Sequence, residues 1–456
     1  MSPSELAGKR VLVVGLGVSG FSAAKALIEL EAKVRVTEAS DGEVIRERAR
    51  QLRDIGVEVE VGGHDLERLD ADLAVMSPGI PPTAPIAAAL AQEGLELWSE
   101  VELAFRLARC EFLAVTGTNG KTTTTTLLAS ILHEAGVATV AAGNIGYPLI
   151  DAIASVPADG AIALEVSSFQ LVGTERFRPR VAVLLNVAED HTDWHGSFAA
   201  YRDAKARLVM NQTADDVFLP NADDDIAMEI AAGAPARVVP FSATGLPRTG
   251  IGPREGMIVW RDEDVIAVDD LVLPGLSGVE DSVAAAGAAL EYGVDRQAVV
   301  RALRSFQPLG HRFQVVARAD GITYIDDSKA TNPHATLAAL RGASNVVLIA
   351  GGRSKGIDLT PLRAAAGSLL AVIALGEARE QIRELFEGAV PVDVVDTMGE
   401  AVRAAAARSI PGGSVLLSPG CASLDMYESY AARGEDFARA VGELVKHPER
   451  GSDGDA

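Results

Sequence analysis

Cysteine is nearly absent: Cys110 and Cys421 are the only two in 456 residues. That excludes a disulfide framework and points to a reducing, cytoplasmic compartment. Positive charge is also short, with 41 Lys and Arg against 63 Asp and Glu and a net charge of −22. Nucleic acid and anionic membrane are therefore excluded as general partners, and any phosphate site must be locally basic. No run of 18 apolar residues exists to span a membrane. Lys9-Arg10 precedes an apolar stretch, Val11 to Leu30, in the manner of an export signal. Its Gly15, Gly17, Ser19 and Gly20 suit a turn better than a hydrophobic helix. No internal repeat is present.

What remains is a large α/β enzyme. Hydrophobic residues make up 48% of the chain, and about 150 residues per domain predicts three domains. Strand, glycine turn and helix recur three times: Arg10–Gly20, Phe112–Thr123 and Asn345–Gly356. Parallel sheets follow from strands alternating with helical segments. The expected domains are 1–109, 110–308 and 309–456, the first and last Rossmann-like and the central one a P-loop domain. Between about Asn211 and Gly275 the helical rhythm breaks into short strands and turns, predicting a peripheral β appendage. The tail from His447 is polar and expected to be disordered.

The second turn carries the most chemistry. An apolar strand runs into Thr116-Gly117-Thr118-Asn119-Gly120-Lys121-Thr122-Thr123 and a helical pattern follows. Backbone N–H groups and a helix N-terminus meet an anion there, the lysine reaches outer phosphates, and a hydroxyl faces Mg²⁺. Val115 stands where the strict phosphate-loop pattern has its first glycine. An ordinary strand-to-helix turn is the bland alternative; ATP binding is the expectation. Two further strand ends supply candidates: Glu165-Val-Ser-Ser after Ala161–Leu164, and Asn186-Val-Ala-Glu189-Asp190-His191 after Val181–Leu185. Carboxylate and hydroxyl oxygens suit Mg²⁺, although Glu165 and His191 could equally cap the following helices.

The first turn, Gly15-Leu-Gly17-Val18-Ser19-Gly20, satisfies G-x-G-x-x-G, with Glu38 after the next strand in position for a ribose hydroxyl. Alone it fits NAD or FAD as well as UDP, since each has a diphosphate. An NAD-dependent oxidoreductase would leave Lys121, Thr122, Glu165 and His191 unused. A nucleotide-binding scaffold without turnover is the other rival.

Taken together, Thr116–Thr122, Gly143-Asn144-Ile-Gly146, Glu165–Leu171 and Asn186–His191 resemble the Mur ligase superfamily. Asp327-Ser-Lys-Ala-Thr-Asn332 and Leu417–Asp425 resemble its members that add D-glutamate to UDP-N-acetylmuramoyl-L-alanine. The resemblance implies ATP- and Mg²⁺-dependent amide synthesis through an acyl phosphate, by a monomer acting on small molecules in peptidoglycan precursor synthesis. It implies catalytic roles for Lys121, His191 and Lys205, with Thr122, Glu165, His191 and carbamylated Lys205 as metal ligands. Without the family, Lys205 reads as a solvated lysine on a helix face.

Asp281, Arg312 and Asp327 would join residues 117–123 in holding ATP. Val18, Ser19, Glu38, Ser77-Pro78-Gly79, Asn144 and His191 would hold the UDP substrate, and Lys329, Thr331, Lys355, Ser423 and Tyr430 D-glutamate. Three departures stand out. The family's Gly-x-His-Asn-x-x-Asn reads Gly275-Leu-Ser277-Gly278-Val-Glu-Asp281, which puts the adenine contact in question. Thr37-Glu38-Ala39 lacks the basic residue that relatives carry after the second strand, and Arg353 occupies a position often acidic or small.

Overall fold

The computed structural model describes residues 3–446 apart from 274, 308 and 355. Lys355, the boundary at Pro308 and the tail from His447 thus lie outside the described residues. The chain divides into two compact units, Met1–Asp270 with Asp281–Phe306, and Leu271–Glu280 with Gln307–Ala456.

The first unit contains two parallel sheets. β1 (Arg10–Val14), β2 (Lys33–Glu38), β3 (Glu58–Val61), β4 (Leu73–Met76) and β5 (Leu97–Ser99) take the order β3-β2-β1-β4-β5. The second has β6 (Glu111–Thr116), β7 (Thr139–Gly143), β8 (Ala161–Glu165), β9 (Val181–Leu184), β10 (Val217–Pro220) and β11 (Arg237–Val238), ordered β11-β10-β9-β6-β8-β7. β8 and β9 are buried at every residue. Helices cover both faces of such a sheet, so its inner strands are continuous apolar runs rather than alternating ones.

The expected appendage is narrower than its sequence rhythm implies. β10 and β11 pair in parallel with the main sheet, because Val217–Pro220 is a fully buried run. Only β12 (Ile251–Arg254), β13 (Met257–Trp260) and β14 (Glu263–Ala267) form a separate antiparallel sheet.

Two carboxylates fasten the first sheet's last helix, Glu100–Leu107, to segments of the second. Glu102, fully buried, accepts from the backbone N–H groups of Glu175, Arg176 and Phe177 at 2.8–3.0 Å and from Arg106 Nε at 2.6 Å. Glu100 accepts from Leu149 N–H at 2.9 Å. Truncating Glu102 to alanine strands these donors in a dry seam. The expected cost is about 3–5 kcal/mol, read as a lowered unfolding midpoint; an unchanged midpoint would contradict the assignment.

In the second unit β15 (Gln314–Ala319), β16 (Ile322–Asp326), β17 (Val346–Gly351), β18 (Leu369–Leu375), β19 (Val392–Val394) and β20 (Ser414–Gly420) are ordered β15-β16-β20-β17-β18-β19. β15 runs antiparallel to β16 and the other pairings are parallel. Separate apolar clusters, around Leu348 and Phe386 and around Ile349 and Phe437, pack the sheet.

Candidate active site

The loop between β6 and the helix Lys121–Glu134 is built for close approach. Gly120 is the helix N-cap at φ +83°, and a Cβ there would meet Asp281 Oδ1 at 2.5 Å. A non-glycine residue would face both strain and collision. The Asn186 carboxamide oxygen accepts from Thr118 N–H at 3.0 Å and Asn119 N–H at 2.8 Å. Thr118 Oγ1 lies 3.0 Å from the Tyr201 hydroxyl and accepts from Ala188 N–H at 2.9 Å. The segment after β9 therefore shapes the loop after β6, its neighbour in the sheet.

Two lysines converge on one carbonyl. Lys121 Nζ donates to Gly117 O at 2.9 Å and to Thr118 O at 2.8 Å, and Lys205 Nζ donates to Gly117 O at 2.7 Å. Lys205 is only 2% exposed, with its ammonium 4.6 Å from the centre of the Tyr201 ring. The solvated-lysine reading is thus wrong. Burial first, and the Lys121 charge second, push the Lys205 pKa well below its ordinary value. A depressed pKa favours the neutral amine, the form that can add to CO₂.

Glu165 ends β8, whose register places it beside Val115 of β6 and Gly143 of β7. It caps no helix: Ser167 caps the following one, with Gln170 completing the capping box. Asn144 Nδ2 donates to Glu165 Oε1 at 2.8 Å, whereas Glu165 Oε2 is buried with no hydrogen-bond partner. An orphaned, buried carboxylate oxygen at a strand end fits a divalent cation. His191 is the N-cap of the next short helix, but its side chain makes no capping bond. Its backbone is left-handed at φ +53° and its ring is 46% exposed, edge-on to Phe169 with centroids 4.7 Å apart. Among the described residues, no group of three His, Cys, Asp or Glu side chains gathers into a cation site. Thr122 and Lys205 would have to complete the expected set.

Asp281 lies under the phosphate loop, accepting from Thr124 Oγ1 at 2.9 Å. Val279 and Asp281 are buried in the helix Gly275–Tyr292, which carries the altered Ser277-Gly278.

The first glycine turn follows β1 beside β4, the point where the strand order reverses and where doubly wound sheets bind ligands. Gly15 has φ +98°, and a Cβ there would lie 2.5 Å from Ser77 Cβ. Ser77-Pro78-Gly79 is thereby pressed against the turn. Glu38 faces inward, accepting from Leu16 N–H at 2.6 Å and Ser40 N–H at 2.8 Å. The Ser19 hydroxyl favours the ionised form of Glu100, the carboxylate that receives Leu149 N–H. Burial raises the Glu100 pKa despite these donors.

The remaining expected residues belong to the second unit. Arg312 stands between His311 and Phe313, both left-handed at φ +62° and +47°, a costly backbone of the kind that clusters at functional turns. His311 Nδ1 and Asp326 Oδ2 are 2.7 Å apart. Asp327 accepts from Ser418 Oγ at 2.9 Å and Phe313 N–H at 3.2 Å, and burial pushes its pKa up to about 7. Lys329 Nζ lies 4.3 Å from the Tyr430 ring centre. Thr331 is half-buried and Ser423 buried. Arg353 is exposed, its guanidinium 4.0 Å from Glu377.

The Asp327 shift makes a pH prediction. Its folded pKa lies above the ordinary carboxylate value, so the folded state holds the proton more tightly between about pH 4 and 7. Its contribution to stability is full below that window and is lost as pH rises through 7. Asp327→Asn should therefore flatten the fall in melting temperature from pH 5 to pH 8; an unaltered slope would contradict the shift.

Three family models match: the Mur ligase MurD-like N-terminal domain at residues 9–99, the Mur ligase middle domain at 115–251, and the Mur ligase glutamate ligase domain at 311–421. A curated relative from Frankia casuarinae, named UDP-N-acetylmuramoylalanine--D-glutamate ligase, is 44% identical, over 95% of this chain and 94% of its own. One of the same name from a Geobacillus species is 41% identical, over 96% and 98%. The chain belongs to the Mur ligase family. Solved Mur ligases share its fold at lower identity. MurC from Thermotoga maritima aligns with a TM-score of 0.56 at 19% identity, covering 95% of this chain and 99% of that one. MurF from Acinetobacter baumannii gives 0.59 at 18%, covering 98% and 93%.

Several residues of this Mur ligase escape motif reading. Tyr201 shapes the loop with no charge or spacing that signals it, and Asn186, though it opens the Asn186–His191 stretch, does so through carboxamide contacts that the motif does not assign. Arg433, in the helix Tyr430–Lys446, is buried and donates to Ser328 and to the Cys421 carbonyl. Burial lowers its pKa to about 10. It ties the Asp327–Asn332 stretch to the Leu417–Asp425 stretch, a role visible only once both are folded.

Proposed function

We propose that the chain is an ATP-dependent amide ligase that joins D-glutamate to UDP-N-acetylmuramoyl-L-alanine in peptidoglycan precursor synthesis. The substrate pair rests on relatives of that name at 40–44% identity over nearly the whole chain. The chemistry rests on one observation, the phosphate loop with Lys121, buried Lys205 and the orphaned Glu165 oxygen grouped about it. Residues 1–109 serve the UDP end, 110–308 ATP and 309–456 the amino acid.

A carboxylate is a poor acyl donor at neutral pH, and phosphorylation gives it a leaving group. Lys121 exchanges the Gly117 and Thr118 carbonyls for the outer phosphates, and the loop N–H groups and helix N-terminus hold the rest. The terminal carboxylate of UDP-N-acetylmuramoyl-L-alanine takes the phosphoryl group from ATP, releasing ADP. The D-glutamate amine then attacks the acyl carbon, and phosphate leaves. Mg²⁺, when bound, neutralises charge on the transferring phosphoryl group. Thr122, Glu165, His191 and carbamylated Lys205 would hold it. Asp281 serves the ATP end by buttressing the loop through Thr124. Arg312 and Asp327 are assigned to ATP, and Lys329, Thr331, Lys355, Ser423 and Tyr430 to D-glutamate, whose two carboxylates call for cations and hydroxyls.

Phosphate release from ATP and Mg²⁺ with UDP-N-acetylmuramoyl-L-alanine, across a panel of amino acids, tests this reading. Release dependent on the acceptor, with D-glutamate preferred, is expected. Preference for another amino acid would refute the substrate, and acceptor-independent ATP hydrolysis would refute the ligase.

A further inference from the structure

β2 ends without a cation, in Thr37-Glu38-Ala39, yet a basic side chain reaches the glycine turn from elsewhere. Arg48, on the helix Glu43–Asp54, donates from Nη1 to the Leu16 carbonyl at 3.1 Å. Leu16 N–H is held by Glu38 at 2.6 Å. One residue of the turn is thus bracketed by a carboxylate on its N–H and a guanidinium on its carbonyl.

The other arginines of that helix are engaged away from the turn. Arg46 pairs with Asp41 at 2.7 Å, Arg50 pairs with Glu47, and Arg53 donates to the Val59 carbonyl at 2.6 Å. Arg48 is half-buried and pairs with no carboxylate among the described residues, so its remaining N–H groups are available to a ligand. Beside the turn, Val18 is 51% exposed at the first residue of its helix and offers an apolar surface to a planar ring.

We propose that Arg48 contacts the uracil of the UDP substrate, donating to its carbonyl edge and setting base specificity. The inference rests on the placement of UDP at this turn under Proposed function. Two features favour the base over the diphosphate. Gly17 caps the helix Val18–Glu29 with no side-chain bond, so its first-turn N–H groups are open to the phosphates. Arg48 lies instead on the β2 side with Glu38, where doubly wound folds place the nucleoside. A guanidinium only donates hydrogen bonds, so it matches the O4 carbonyl of uracil and opposes the amino group that cytosine carries there.

Calorimetric titration of the full chain with UDP and with CDP tests the proposal. The wild type should bind UDP more tightly than CDP. Arg48→Ala should weaken UDP by roughly tenfold, the loss of one charge-assisted bond, while CDP changes little and the preference collapses. Arg48→Lys keeps the charge but loses the fork, and should restore part of the preference. Arg46→Ala, on the same helix, should change neither. In turnover, Arg48→Ala should raise KM for the UDP substrate and leave kcat and KM for ATP within about twofold. A UDP-to-CDP ratio in Arg48→Ala equal to that of the wild type would overturn the role of Arg48. Absence of saturable UDP binding by the wild type would overturn the placement of UDP itself.

Discussion

Replacing Lys121 with alanine should lower D-glutamate-dependent phosphate release by on the order of 10³-fold, the scale of deleting a preorganised charge at a transferring group. The fold should survive. Lys121 is half-buried, and its ammonium donates to the Gly117 and Thr118 carbonyls of its own loop. Gly117 O keeps Lys205 as a donor when Lys121 is removed. A melting temperature within a few degrees of wild type, beside lost turnover, would place the defect in chemistry. Near-normal turnover would refute the role.

Lys205→Met should also lose activity, but with a gain in stability rather than none. The side chain sits in a dry environment that penalises its ammonium. A methionine of similar length fills the same volume, and Gly117 O retains Lys121. Removing the charge relieves its desolvation penalty; replacing whole buried ion pairs by apolar residues of like size ranges from neutral to about 1–4 kcal/mol stabilising, and a gain within that range is expected here. Activity should fall at least about 100-fold, the scale of losing a preorganised group at the reacting centre. Thermal unfolding and phosphate release on the same sample read both. A variant that keeps turnover would remove Lys205 from the site, and one that loses stability would show its ammonium to be worth more than its burial costs.

The fold class and the phosphate loop were legible because they rest on local signals. Continuous apolar runs ending in glycine turns mark inner parallel strands, and Gly120-Lys121-Thr122 follows one of them directly. Residues 211–250 were harder. Turn residues there suggest an appendage, but Val217–Pro220 and Arg237–Val238 complete the central sheet by pairings that no local pattern reveals. Lys205 has the sequence neighbourhood of a surface lysine but is buried, donating to Gly117 O beside Tyr201, which bonds Thr118 in the same loop. Glu38 has the spacing of a ribose ligand, and the fold supplies it with backbone N–H partners from Leu16 and Ser40. Arg48 is one of several arginines on a charged helix, and only its tertiary contact with Leu16 sets it apart. In each case the missing information is a contact between residues far apart in the chain.

Activation of the substrate carboxylate by ATP is best tested by isotope transfer. UDP-N-acetylmuramoyl-L-alanine labelled with ¹⁸O in its terminal carboxylate would be turned over with ATP, Mg²⁺ and D-glutamate, and the products read by mass spectrometry. One labelled oxygen should appear in the released phosphate, and the nucleotide product should carry D-glutamate in amide linkage. Unlabelled phosphate accompanying amide formation would contradict an acyl phosphate on this path.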